Sequence, residues 1–178
     1  HDWQAALVPL YLRTCFQNTN VGRASAVLTI HNLRFQGVYD RKMIQYWSGL
    51  PDYVFNKDCM IQNWLDANML KGGIAYCNKI TTVSNTYAGE IQTEEYGEGL
   101  AEHLRYHNNK IRGIVNGIDT DNWNPATDKL LTANYDAESA VENKKINKKA
   151  LQESLGLEVD DHKMVIGLIS RLTNQKGL

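Results

Sequence analysis

The chain has 178 residues, enough for one domain and part of another. Hydrophobic residues make up 43% and charged residues 22%, the balance of a globular protein with a core to bury, and no apolar run approaches the length of a membrane span. The formal net charge is −1, which removes any global electrostatic case for nucleic acid or an anionic membrane surface as partner.

The elements fall in an alternating order. Residues 2–15 read as a helix with Ala5, Leu7, Val8 and Leu12 toward a core and Pro9 as a kink. Residues 24–30 (ASAVLTI) form a β-rich apolar run that leads straight into His31-Asn32. Residues 60–76 carry Ile61, Trp64, Leu65, Asn68 and Met69 near helical spacing, with Gly72-Gly73 weakening the end. Residues 79–83 (KITTV) read as a strand stopping at Ser84, which is a good N-cap for a helix over 86–94. Residues 111–115 (IRGIV) form another strand and stop at Asn116-Gly117. Residues 119–161 are polar, contain Pro125 and the lysine-rich run 143–149, and read as a connection with a helix over 145–155 that ends at Gly156. A last apolar run, 164–169 (MVIGLI), reads as a strand that stops at Ser170-Arg171. Strands alternating with helices predict an α/β fold with a parallel sheet, and ligands of such sheets bind at the carboxyl ends of the strands.

The candidate residues sit at those ends. Arg171 and Lys176 follow the last run, where a strand-to-helix loop is a natural anion site. Arg offers a rigid fork to phosphate oxygens and Lys a mobile charge. At an effective dielectric of about 20, an anion about 4 Å from one such cation gains roughly 4 kcal/mol before desolvation. Spacing alone favours two ordinary surface charges. His31 is placed for catalysis, but the residues alone favour a hydrogen-bonded histidine at a domain edge. Asn116-Gly117 is a turn signal, and the amide also suits a sugar hydroxyl. His103 and His107 are four apart on a helix, yet no third ligand is near, which argues against a metal. Lys144, Lys145, Lys148 and Lys149 face nearby Glu153, Glu158, Asp160 and Asp161 and read as a solvated, charge-balanced surface. Cys15, Cys59 and Cys77 are odd in number with no C-x-x-C, so they read as reduced, buried thiols of a cytosolic-type compartment.

Five motifs occur in order: His1-Asp2-Trp3; His31-Asn32-x-x-Phe35-Gln36-Gly37; Thr82-Val83-Ser84-x-x-Tyr87-Ala88-x-Glu90-Ile91; Asn116-Gly117-Ile118-Asp119-x-x-x-Trp123-Asn124-Pro125-x-Thr127-Asp128; and Ser170-Arg171-Leu172-Thr173-x-Gln175-Lys176-Gly177. Each is weak alone; in series they closely resemble the bacterial glycogen synthase and plant starch synthase family of ADP-glucose-type glucosyltransferases, over the whole chain.

The resemblance implies a GT-B fold, two Rossmann-like domains facing across a cleft. Residues 1–115 would be the later part of the N-terminal, acceptor-side domain, 116–162 the connection and entry to the second domain, and 163–178 the first strand and phosphate loop of the nucleotide-sugar-binding domain. It implies transfer of glucose from ADP-glucose to the non-reducing end of an α-1,4-glucan with retention of configuration, no metal or other cofactor, and a bacterial cytoplasmic or plant plastid location. Arg171 and Lys176 match the family's R-x4-K pair on the leaving diphosphate. His31 matches the histidine beside the transferred glucose, Asp2 a catalytically important acid, and Asn116 an asparagine near sugar and donor. Gln4 stands where the family often has histidine, and Gly89 where a charged residue is common. The family's Lys-Thr-Gly-Gly-Leu loop would precede His1 and its Glu-Pro-x-Gly acid would follow Leu178, so the resemblance implies a central fragment, inactive alone. A glucan- or nucleotide-binding module without turnover, and a UDP-glucose-using GT-B enzyme, remain the alternatives.

Overall fold

The computed structural model describes residues 1–177; Leu178, the last residue assigned to the second domain, and the side chain of Gln175 lie outside the description. The chain divides into two compact units, one from His1 to Asn116 and one from Gly117 onward.

The first unit is built on a three-stranded parallel sheet of β1 (Val27–Ile30), β4 (Lys79–Thr82) and β5 (Ile111–Gly113), in the order β1-β4-β5. Ile30 pairs with Thr82, and Thr82 with Gly113, so the three strands end in one row. The residues that follow, His31, Val83-Ser84 and Ile114, therefore leave the sheet along one edge. Leu28, Ile30, Ile80 and Ile111 of this sheet pack with Leu33, Leu70, Ile74, Ile91, Leu100 and Leu104 in one core.

A second, antiparallel pair, β2 (Val38–Asp40) and β3 (Asp66–Asn68), had no sequence signal because each strand is only three residues long, too short to show an alternating pattern. Between them runs α2 (Arg41–Ser48), which Asp40 caps by accepting from Met43 N–H at 2.8 Å and which ends at left-handed Gly49.

Three helical expectations are corrected. The expected helix over 60–76 begins only at α3 (Met69–Tyr76), because Asn68 is buried and caps it, accepting from Lys71 N–H at 2.9 Å. Gly72 and Gly73 lie inside that helix and do not weaken its end. A Cβ on Gly72 would stand 2.6 Å from Met60 Cγ and 3.3 Å from Leu10 Cδ2, and one on Gly73 2.8 Å from Ala6 Cβ, so the pair lets α3 pack closely on Met60, on Ala6 and on Leu10 of α1 (Leu7–Arg13). The expected helix over 2–15 is instead a 3₁₀ turn, Trp3–Ala5, followed by α1; Pro9 lies in the first turn of α1, where its missing N–H is no loss. Leu7 and Leu10 face the core, while Val8 is 54% exposed. Ser84 caps α4 (Asn85–Glu90), accepting from Tyr87 N–H at 2.9 Å, and α5 (Ala101–Tyr106) follows.

The second unit holds α6 (Ala140–Ser154). It ends in a Schellman motif: Gly156 N–H donates to Glu153 and Leu157 N–H to Gln152, with Gly156 at φ +65°. The strand expected over 164–169 is absent from the structure. Ile166 and Ile169 are 83% and 101% exposed, and among the described residues this unit contains no other strand. A parallel strand needs neighbours to pair its edges and layers to cover its faces, and among the described residues of this unit neither is present. Cys15 is exposed, against the expectation of three buried thiols, while Cys59 and Cys77 are buried.

Candidate active site

The site forms where β1 ends. His31 leaves the sheet edge exposed, and the turn behind it is held by groups distant in sequence. Asp2 is tied to β1 by its own N–H, which donates to the Thr29 carbonyl at 2.8 Å. Its carboxylate Oδ1 accepts from His31 N–H at 2.8 Å and from Asn32 N–H at 3.4 Å. Leu33 N–H donates to the Tyr87 hydroxyl at 3.0 Å. Arg34 N–H and Phe35 N–H donate to the Asn32 side-chain and backbone oxygens. Every backbone donor from His31 to Phe35 is thus accounted for, which fixes the turn.

Asp2 achieves this in a costly conformation. Its φ of 50° and ψ of −167° lie in a region that only glycine occupies freely, a strain of about 1–3 kcal/mol. Such strain persists only where surrounding contacts over-determine it, and here the Thr29 and His31 hydrogen bonds do so. The His31 ring also meets His1, with Nε2 2.8 Å from His1 Nδ1 and the rings stacked at 5.1 Å.

The next turn is held as firmly. Gln36 is buried, donating from Nε2 to the Glu98 carbonyl at 2.9 Å and accepting from Asn68 Nδ2 at 2.6 Å. The Gln36 and Gly37 carbonyls accept from Leu70 and Met69 N–H, at the start of α3. Gly37 has φ +65°, and a Cβ there would stand 2.5 Å from the Trp3 ring, so glycine is required twice over. A cavity of about 470 Å³ opens beside this turn, lined by Trp3, Arg34, Phe35, Tyr39 and Glu98 among others. Its mixed aromatic and charged lining suits a polar organic ligand.

Of the residues expected at the site, Asp2 and His31 are brought together. Asn116 is exposed just beyond β5, on the same edge of the sheet, as the last residue of the first unit. Arg171 and Lys176 belong to the second unit and are exposed; Lys176 closes a 3₁₀ turn, Asn174–Lys176, with its N–H donating to Thr173. Sequence reasoning gave no role to Tyr87, Gln36 or Asn68. Tyr87 and Gln36 stood inside two of the ordered motifs, and that was the signal available.

The other titratable clusters offer no competing chemistry. Burial pushes the Cys59 and Cys77 thiols up to about 12 and about 11, which keeps them protonated and unreactive. His103 and His107 meet edge to face at 4.9 Å, and burial holds both below the usual histidine range, His107 at about 4. Among the described residues, no group of three or more His, Cys, Asp or Glu is placed to hold a metal.

Known proteins share this chain's pattern. A family model described as the starch synthase catalytic domain matches residues 1–106. The glycogen synthase of Lachnospira eligens is 48% identical over 179 aligned residues, which take in 100% of this chain and 37% of that protein. The glycogen synthase of Thermotoga maritima is 50% identical, again over 100% of this chain and 36% of that protein. The catalytic domain of starch synthase IV from Arabidopsis thaliana, solved with ADP and acarbose, is similar in structure with a TM-score of 0.78 and 37% identity, over 89% of this chain and 32% of that one. The chain therefore spans little more than a third of the relatives it matches.

Proposed function

Because this chain belongs to the starch synthase catalytic-domain family, whose α/β, GT-B class its parallel sheet shares, we propose that it forms the central part of a glycogen or starch synthase. The reaction is transfer of glucose from ADP-glucose to the non-reducing end of an α-1,4-glucan, with retention of configuration. The observation that carries the reading is the Asp2–His31 arrangement at the carboxyl edge of the sheet, in a chain similar to a starch synthase solved with ADP and acarbose.

In this reading His31 lies beside the transferred glucose and stabilises the positive charge that develops as the glycosidic bond breaks. Asp2 acts chiefly by holding the His31 turn, since Oδ1 is already committed to two backbone N–H groups. Arg171 and Lys176 neutralise the departing diphosphate, the task a metal performs in other transferases, so no cofactor is needed. Asn116 hydrogen-bonds sugar or donor. The working compartment is the bacterial cytoplasm or, in a plant, the plastid.

The test is incorporation of labelled glucose into glycogen by the full reading frame that carries this chain, with ADP-glucose and UDP-glucose compared. His31→Ala and Lys176→Ala should each lower turnover at saturating donor while glucan binding is kept. Glucan binding without turnover would make the protein a binding module. Faster transfer from UDP-glucose would reassign the donor.

A further inference from the structure

The motif around Tyr87 has no part in the function above. Tyr87 is on α4, held by the Ser84 cap and packed partly buried against the core that contains Leu33, Ile91 and Leu100. Its hydroxyl reaches across to the turn after β1 and accepts from Leu33 N–H at 3.0 Å. Leu33 is fully buried, so its side chain is fixed in the core while its amide is fixed by Tyr87. Asp2 grips the same turn through the His31 and Asn32 amides. Three consecutive amides are thus held by two side chains, one from each side of the sequence.

We infer that Tyr87 is a positioning residue for His31: its hydroxyl fixes the Leu33 end of the turn, as Asp2 fixes the His31 end, and together they set where the exposed imidazole stands. The inference rests on the proposed role of His31. Burial raises the Tyr87 pKa above the usual range, so the hydroxyl stays protonated near neutral pH. Without that acceptor, Leu33 N–H has no partner and the turn gains freedom at its far end. A small displacement of a catalytic group lowers turnover without weakening ground-state binding.

The experiment is a double-mutant cycle in the full reading frame, with Tyr87→Phe and His31→Ala singly and together. Phenylalanine keeps the ring in the core and removes only the acceptor. The expected result is a fall in kcat of about tenfold for Y87F, the size of one hydrogen bond expressed as a rate. KM for donor and glucan should stay within about twofold. In the H31A background Y87F should then have almost no further effect, because the two residues act as a unit. The same tenfold loss in both backgrounds, or a loss in KM instead of kcat, overturns the inference. Unchanged turnover in H31A overturns the role of His31 itself, and so separates the two failures. Hydrogen exchange at the Leu33 amide of the unmodified protein gives a check independent of any variant: exchange as fast as in an exposed loop would show that the Tyr87 bond is not maintained.

Discussion

Gly113→Ala should destabilise the first unit strongly, and the structure gives the reason. Gly113 ends β5, paired with Thr82, directly beneath the turn that opens α4. A Cβ there would stand 2.3 Å from the Ser84 carbonyl oxygen and 2.4 Å from both Asn85 N and Asn85 Cα. Ordinary contacts of this kind lie at about 3.5–4.0 Å, and all three atoms are backbone, so no rotamer change relieves them. The strand or the helix start must shift by about 1 Å. Overpacking of this sort costs about 3 kcal/mol, offset by up to about 1 kcal/mol from the stiffer unfolded chain. The net of about 2–3 kcal/mol corresponds to a fall in Tm of about 10 °C for a unit of this size. Thermal unfolding followed by circular dichroism measures it, with Gly89→Ala as the control. Gly89 lies within α4, nothing stands within 4 Å of its would-be Cβ, and alanine there should stabilise by up to about 1 kcal/mol. If G113A melts with the unmodified protein, or no lower than G89A, the packing argument is wrong. Because Ser84 caps the helix that carries Tyr87, G113A should lower turnover as well.

Two further outcomes follow from the site and its surroundings. Asp2→Ala removes a charge-assisted hydrogen bond to the His31 amide, about 2 kcal/mol, and should lower kcat at least about 30-fold; Asp2→Asn keeps an acceptor and should lose about fivefold. Equal losses in the two variants would mean that the charge, not the hold on the turn, is what matters. The second concerns acid stability. His107 has a folded pKa of about 4 against 6.5 unfolded, set by burial and then by Lys110 and His103, and His103 is lowered in the same sense. Between those values the unfolded state holds the proton and the folded state does not, so stability rises with pH. It is complete above about pH 6.5 and falls as pH drops toward 4. At this partly exposed position screening limits the effect to on the order of 1 kcal/mol. Urea midpoints at pH 7 and pH 5 should therefore lie closer together in His107→Gln, with His103 keeping part of the gap; an unchanged gap would place the acid sensitivity elsewhere.

The strands of the sheet, their parallel arrangement and the exit of His31 and Ser84 at their carboxyl ends were legible in the chain, although β5 stops at Gly113, short of the expected 115, so that Asn116 lies three residues beyond it. Apolar runs stopped by polar residues report local burial, and local burial is written in consecutive residues. The caps at Ser84 and Gly156 were legible for the same reason, since each acts within a few residues. What failed was whatever depended on a partner far along the chain. The Gly72-Gly73 pair looked like the weak end of a helix, but Met60, Ala6 and Leu10 of α1 fill the space a Cβ would need. Asn68 looked like one more helical position until Gln36 and Gln62 were seen to bond its amide. The run 164–169 had the composition of a buried strand, but composition supplies no neighbour to pair with.

The same division runs through the site. The sequence alone determined that a histidine follows β1 and that an aspartate, a tyrosine and two cations stand in ordered motifs. Only the tertiary structure decided that Asp2 and Tyr87 grip consecutive amides of the His31 turn, across sequence separations of 29 and 54 residues. Hydrogen bonds of that kind leave no periodicity to read, because they depend on where separate strands and helices end in space. The strain at Asp2 belongs to the same class: a residue type that resists its backbone conformation is held there by contacts that exist only once the sheet has formed.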